Sequence, residues 1–256
     1  MKGIKILICL ICILNAGAVN AGVTYKNDYI PILMYHNILP SEEITNNSAQ
    51  VSVEVFKEQL KALKNAGYTS IDFNEYKLYK EGKYKLPSKP FIITFDDGYM
   101  DNYTIAYPIL KEMELKATYF VSSQYVGVMT TTTPHFDWEQ AKEMEASGFI
   151  DIQSHTLTHA NMSLTTTNYT REISESFKLI EDNLGERDIK VLCYPQFKSN
   201  WKSRNTAKEL GVDFQITTLA TVDNNNYVPT QLHRIHTHNL MSGKQLLAEI
   251  NKLTNN

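Results

Sequence analysis

Two short motifs carry residue types suited to metal-assisted hydrolysis. Asp96 and Asp97 are adjacent carboxylates at the end of the apolar run Phe91–Phe95, and His155 and His159 stand four residues apart after another apolar run. Adjacent buried carboxylates repel each other unless a cation or hydrogen bonds compensate. A four-residue histidine spacing is common among metal ligands. Taken singly, each motif also fits a simpler interpretation, an aspartate that caps the next helix and a pair of surface histidines.

The elements around both motifs alternate between strands and helices. Six apolar runs are typical of buried strands, and stretches with helical periodicity separate them. The strand candidates are Ile30–Tyr35, Phe91–Phe95, Ala117–Val121, Phe149–Ser154, Val191–Tyr194 and Phe214–Thr217. This alternation predicts a mostly parallel sheet, either open or rolled into a barrel. In such folds the residues at the carboxyl ends of the strands collect on one face.

On such a face the two motifs would supply a metal site and a base. One carboxylate and two imidazoles make a three-ligand set that leaves a position open for water or substrate. This donor set suits Zn²⁺, with Co²⁺ or Ni²⁺ as alternatives. The remaining carboxylate would then be free to take a proton from the attacking water.

Composition limits the class of protein. The chain has 256 residues, of which 43% are hydrophobic and 21% charged, so it can bury the core of one large soluble domain. A net charge of −3 provides no basic surface, so nucleic acid is not an expected partner. We expect a monomer.

The N-terminus has the order of a secretory signal peptide. Lys2 and Lys5 precede the apolar run Ile6–Leu14, and small residues follow it. We therefore expect residues 1–21 to be a signal peptide, residues 22–256 to be the functional domain, and the protein to be secreted or held at the cell surface. The run is short for a membrane span, which needs about 20 apolar residues. An uncleaved anchor, the one expected route to a membrane, stays open as an alternative.

The two motifs, in this order, resemble those of the polysaccharide deacetylase family with a NodB-type domain (carbohydrate esterase family 4). Thr94–Tyr99 and Ser154–His159 carry the resemblance, and Pro31–His36 and Trp138–Gly148 extend it towards exported poly-N-acetylglucosamine deacetylases. It implies a single-domain α/β fold, a distorted (β/α) barrel with mostly parallel strands. By motif position, Asp96 would be the base, and Asp97, His155 and His159 the metal ligands.

The third motif departs from the family pattern. Cys193–Phe197 lacks the arginine that often precedes Pro195, so the resemblance leaves the partner of Asp96 open. Gln196 replaces an aromatic residue, although its backbone N–H could still help to form an oxyanion hole. We expect the side chains bordering the substrate to be Tyr99, Trp138, Pro195 and Gln196, with Tyr125 and Trp201 as further candidates for stacking on sugars. His135, in a threonine-rich loop, is expected at the surface.

The general acid has more than one candidate. The resemblance to biofilm-type deacetylases assigns it to His36, at the end of the first strand. Many other relatives use a histidine near the C-terminus, where this chain has His233, His236 and His238. A structural role for His36 is the third possibility.

The resemblance implies a metal-dependent hydrolase that removes N-acetyl groups from an extracellular or cell-wall N-acetylglucosamine polysaccharide. Poly-β-1,6-N-acetylglucosamine is expected ahead of peptidoglycan. One alternative is an esterase that removes O-acetyl groups from xylan-type polymers. Another is a carbohydrate-binding relative without turnover, which the presence of a base, metal ligands and an acid candidate argues against.

Overall fold

A computed structural model of the protein describes residues 30–130, 133–219 and 231–254. The strands are β1 (Ile32–Tyr35), β2 (Asn37–Leu39), β3 (Gln50–Ser52), β4 (Thr69–Ser70), β5 (Pro90–Asp97), β6 (Ala117–Val121), β7 (Ile150–Ser154), β8 (Val191–Cys193), β9 (Phe214–Leu219) and β10 (Gln231–His236). The helices are α1 (Val53–Asn65), α2 (Phe73–Lys80), α3 (Tyr107–Glu112), α4 (Trp138–Ala146), α5 (Tyr169–Leu184), α6 (Trp201–Glu209) and α7 (Gly243–Thr254).

Seven of these strands close into a parallel barrel. They pair in the order β5, β6, β7, β8, β9, β10 and β1, and β1 closes the ring through parallel pairing with β5. The strand β4 pairs with the first two residues of β5, and β2 pairs with β3 as a separate two-stranded sheet. The predicted distorted (β/α) barrel is confirmed, and the open-sheet alternative is excluded.

Alternating side chains along the strands separate two apolar clusters. One cluster fills the inside of the barrel and includes Ile32, Ile92, Phe120 and Val191. The other lies between barrel and helices, where Leu33, Ile93, Tyr119 and Leu192 meet the helical stripes. A closed barrel requires this inside–outside alternation. At the carboxyl ends of the strands, the inward positions become polar, and this end of the barrel is the mouth.

Helix α1 shows how the sequence attaches a helix to the barrel. Phe56, Leu60 and Leu63 are fully buried on one face, and each contributes about 1.5–3 kcal/mol by leaving water. The Ser52 hydroxyl accepts a hydrogen bond from the Val55 N–H at 3.3 Å and caps the start of the helix.

Within the described ranges, no helix combines the length and hydropathy needed to cross a membrane. The predicted signal peptide, residues 1–21, lies outside those ranges.

Candidate active site

The paired aspartates stand at the mouth, where β5 turns away from the barrel. Asp97 and Gly98 both have positive φ, 76° and 79°. A side chain at Gly98 would meet the Cγ1 atom of Val121 at 3.0 Å, in a conformation that disfavours any L-residue. Asp97 adopts that conformation without being glycine. Such strain persists where the surroundings enforce it, commonly at functional sites.

The two histidines lie in a tight loop after β7. Thr156 and His159 have positive φ, 70° and 56°. Side-chain hydrogen bonds stabilise the turn: the Thr156 N–H donates to the Ser154 hydroxyl at 3.1 Å, and the Ala160 N–H donates to the Thr156 hydroxyl at 3.1 Å. The loop places the rings of His155 and His159 with centroids 5.2 Å apart. The four-residue spacing therefore converges through a loop, not along a helix.

Asp97, His155 and His159 converge on one point. The Asp97 Oδ1 atom lies 3.6 Å from His155 Nε2 and 3.4 Å from His159 Nε2. Ligand atoms about 2.1 Å from a tetrahedral ion would be about 3.4 Å apart, so the spacing fits a divalent cation. The three residues form a possible metal-binding triad.

The surroundings of His155 prepare it as a ligand. Its Nδ1 atom lies 2.8 Å from the Cys193 carbonyl oxygen, an acceptor that requires the proton on Nδ1 and leaves Nε2 free for a metal. Burial lowers the pKa of His155, against the opposing effect of the nearby aspartates, and so favours the neutral imidazole. A metal needs the neutral form.

Asp96 has an arginine partner that the sequence did not identify. Arg234, on β10, donates from its two terminal nitrogens to the two carboxylate oxygens of Asp96 at 2.7 and 2.6 Å. Both side chains are almost completely buried. Burial alone would raise the pKa of Asp96, but the Arg234 guanidinium holds it well below its usual range. The arginine missing from the third motif is thus supplied by another strand.

His36 lies beside this pair. Its Nε2 atom is 3.7 Å from Asp96 Oδ2, and its side chain is 19% exposed. Two neighbours hold the backbone here: Asn102 Nδ2 donates to the His36 carbonyl at 2.7 Å, and the Asp101 carboxylate accepts from the Ile38 N–H at 2.9 Å.

The C-terminal histidines have other surroundings. The Nε2 atom of His236 lies 3.2 Å from the Ser48 carbonyl oxygen, and the His236 and His238 rings are 6.2 Å apart. His233 is partly buried on β10, and burial lowers its pKa. The contact with Asp96 favours His36 over these three as the general acid.

A cavity of about 400 Å³ opens beside the triad and is lined by Asp97, His159, Tyr99, Tyr125 and His135 among others. Tyr99 lies where a substrate-bordering residue was expected. Burial and the adjacent Asp97 charge raise the pKa of the Tyr99 phenol, which therefore stays protonated.

The other three residues expected to border the substrate do not line this cavity, and their contact with substrate stays a prediction. Trp138 is the first residue of α4 and packs, partly buried, against the apolar cluster outside the barrel. Pro195 is buried directly after β8. Gln196 is exposed in the same turn with φ of 54°, and its role stays a prediction.

His135 is not the surface residue that its threonine-rich loop suggested. His135 is only 9% exposed. The backbone pairs with Tyr99 through an antiparallel bridge, and the ring lies 5.4 and 5.9 Å from the rings of Tyr99 and Tyr125. The prediction of surface exposure from loop composition is wrong, because the loop that carries His135 folds back onto the turn at Asp97 and Gly98.

The sequence profile described as "Polysaccharide deacetylase" matches residues 83–215, a segment that contains the triad of Asp97, His155 and His159 and its neighbour Asp96. The chain belongs to the polysaccharide deacetylase family. Its members are hydrolases that act on N-acetyl amides. His36 and Arg234 lie outside the matched segment, on strands that the barrel brings to the same mouth.

Individual relatives agree with this assignment. YxkH of Bacillus subtilis (strain 168), provisionally named a polysaccharide deacetylase, is 33% identical over 231 residues, 90% of this chain and 79% of the relative. The poly-β-1,6-N-acetyl-D-glucosamine N-deacetylase of Staphylococcus aureus (strain MRSA252) is 29% identical, over 74% of this chain and 69% of its own. The Streptococcus pyogenes deacetylase PplD, solved in complex with acetate, has 30% identity and a TM-score of 0.74, over 86% of this chain and 97% of its own.

Proposed function

We propose that this protein is an exported, metal-dependent hydrolase that removes N-acetyl groups from an extracellular polymer of N-acetylglucosamine. The observation that carries the proposal is the triad of Asp97, His155 and His159 next to the buried pair of Asp96 and Arg234. A poly-β-1,6-linked polymer is the first candidate substrate, because a relative similar over 74% of this chain is named for that polymer.

Each of the residues at the mouth would have a separate role in the reaction. A divalent ion held by the triad, most simply Zn²⁺, would polarise the acetamido carbonyl and make a water more acidic. Asp96 is kept ionised by Arg234 and would accept the proton of the attacking water. His36, 3.7 Å from Asp96, would give a proton to the leaving nitrogen as the carbon–nitrogen bond breaks. The products are acetate and a free amine.

Acetate release from a panel of polymers tests this proposal. The panel contains β-1,6-linked and β-1,4-linked N-acetylglucosamine oligomers, peptidoglycan and acetylxylan. We expect release from the β-1,6-linked oligomers, loss of release with a chelator, and recovery with added Zn²⁺ or Co²⁺. Full activity in protein verified to be free of metal would overturn the metal role, and release from acetylxylan alone would assign an esterase.

Two aspartate variants separate ligand from base. Asp97→Ala should lose bound metal, because it removes one of three ligands. Asp96→Asn should retain metal and lose about 10²- to 10⁴-fold in turnover, because it removes the base. Asp213→Asn is the matched control, since it removes a carboxylate that contacts Lys77 just before β9, at the end of the barrel opposite the mouth. Equal metal content and activity in the first two variants would refute both roles.

Export is supported by the N-terminal sequence, in which Lys2 and Lys5 precede Ile6–Leu14. N-terminal sequencing of protein recovered outside the cytoplasm should find a start near Gly22. An intact Met1 in the membrane fraction would favour an uncleaved anchor, and an intact Met1 in a soluble cytoplasmic fraction would exclude export.

A further inference from the structure

Exposed large apolar side chains are concentrated at the mouth of the barrel. Seven such residues occur within the described ranges, and six of them lie on segments that follow the carboxyl ends of strands. These six are Tyr125, Val128 and Met129 after β6, Leu164 after β7, Trp201 after β8, and Leu240 after β10. A concentration of exposed apolar surface on one face is typical of a binding surface.

Trp201 stands out because it is exposed and yet firmly supported. The residue is 71% exposed and is the first residue of α6. Asn200 begins this helix with a capping box: the Ser203 N–H donates to the Asn200 side chain at 2.9 Å, and the Asn200 N–H donates to the Ser203 hydroxyl at 2.9 Å. The backbone beneath the indole is therefore ordered by hydrogen bonds, although little packs against the ring.

The same asparagine joins Trp201 to the loop that carries the triad histidines. Asn200 Nδ2 donates to the Ser163 carbonyl at 2.9 Å and to the Tyr169 hydroxyl at 2.7 Å. Next to this contact, Met162 and Ser199 form a parallel bridge between the two loops. Leu164, 51% exposed, follows Ser163 directly. Trp201 and Leu164 thus lie on two loops that are bonded together, and we refer to them as the rim platform.

The rim platform is close to the reacting centre along both loops. Leu164 follows His159 by five residues, and Trp201 follows Gln196 by five residues. Five residues of fully extended chain span at most about 18 Å. Leu164 therefore lies within that distance of a triad histidine, and Trp201 within that distance of the turn after β8, where the Cys193 carbonyl contacts His155. The cavity beside the triad lies on the β6 loop, with Tyr125 and His135, so a polymer crossing the mouth could contact both regions.

We propose that the rim platform binds a sugar unit of the polymer other than the unit that loses its acetyl group. This inference rests on the proposed function. An indole presents a flat apolar face and one N–H donor, which matches a pyranose ring with an apolar C–H face and hydroxyls at its edge. Lys198 and Lys202, near Trp201 in the sequence, are exposed and can donate to those hydroxyls.

Length dependence of catalysis tests the platform. The measurement is kcat/KM for acetate release from a series of β-1,6-linked N-acetylglucosamine oligomers, dimer to hexamer, with wild-type protein, Trp201→Ala, Trp201→Phe and Tyr84→Ala. We expect Trp201→Ala to lose roughly 3- to 10-fold on the long oligomers through KM, and much less on the dimer, because the dimer cannot reach the platform. Trp201→Phe should recover most of the loss.

Tyr84→Ala is the matched control, because it removes an exposed aromatic ring whose hydroxyl contacts Glu75, far from the mouth. It should leave the length dependence unchanged. An equal effect of Trp201→Ala on dimer and hexamer would overturn the platform, as would no effect on either. Trp201-dependent sedimentation with phosphatidylglycerol vesicles, without any change in length dependence, would assign the surface to a membrane instead. Failure of the wild type to release acetate from any oligomer would refute the proposed function itself.

Discussion

Two aspartate–arginine pairs at opposite ends of the barrel, one fully and one partly buried, have opposite electrostatic outcomes. Asp96 and Arg234 stand at the mouth, and Arg234 holds the pKa of Asp96 well below its usual range despite burial. Asp151 and Arg187 contact each other at 2.7 Å near the start of β7, and burial raises the pKa of Asp151 to about 6. The residue types and the contact distances are nearly the same, so the difference must lie in what else each arginine contacts.

Arg187 is shared between two carboxylates, whereas Arg234 gives both terminal nitrogens to one. Arg187 donates to both Glu145 oxygens at 2.9 and 2.7 Å, and one of the same nitrogens also contacts Asp151. The charge of Glu145 therefore opposes the ionisation of Asp151. At the mouth, the charge of Arg234 instead lowers the pKa of Asp96. A buried carboxylate stays available as a base only when its surroundings provide positive charge without a competing acid.

Replacing each arginine in turn gives the largest contrast. Arg234→Met should reduce acetate release by up to about 10⁴-fold and lower the free energy of unfolding by about 3–5 kcal/mol, because it leaves Asp96 buried and unpaired. Arg187→Met should lower the free energy of unfolding and leave the specific activity of the folded protein unchanged. Urea unfolding and acetate release on both variants check this.

Arg234→Lys keeps a positive charge and removes the two-nitrogen contact. It therefore distinguishes a loss of activity caused by the missing charge from one caused by unfolding. We expect a folded protein with intermediate activity. If Arg187→Met lost as much specific activity as Arg234→Met, the prediction that only the pair at the mouth serves catalysis would be refuted.

The second prediction concerns His36, which contacts Asp96 at the mouth. His36→Ala should lower turnover by about 10²- to 10⁴-fold, with metal content and thermal stability unchanged, because a general acid acts only on the reaction. The alkaline limb of the pH–rate profile should change as well, since it reports the acid. His236→Ala is the matched control, because His236 is turned towards the Ser48 carbonyl. A loss of stability without a specific loss of turnover would make His36 a structural residue.

The smallest expected effect is a pH dependence of stability from Asp151. The folded-state pKa is raised from 3.8 to about 6, so its contribution to stability is fully present below pH 3.8 and is lost as the pH rises through 6. The free energy of unfolding should therefore fall by up to about 3 kcal/mol across this window relative to Asp151→Asn. Urea unfolding between pH 4 and 7 measures the difference. A rise in place of a fall would show that Arg187 outweighs burial, and the two ends would then be alike.

The strand and helix patterns were sufficient for a mostly parallel sheet and for the convergence of the two motifs, and the family resemblance implied the barrel. Strand–helix alternation restricts the chain to a parallel sheet, and a parallel sheet brings its carboxyl ends to one face. Asp97, His155 and His159 had to meet there because each follows the end of a strand by a few residues. These are local patterns, and local patterns are visible in a sequence.

Only the tertiary structure decided the partner of Asp96 and the position of His135. Arg234 is 138 residues from Asp96 in the chain, and the two meet because β10 and β5 both flank β1 in the closed barrel. Once an arginine is lost from one strand, several others could supply its charge, and sequence spacing does not distinguish them. His135 is buried because its loop pairs with Tyr99 at the aspartate turn. Loop composition reports solvation on average, while burial depends on which distant backbone the loop meets.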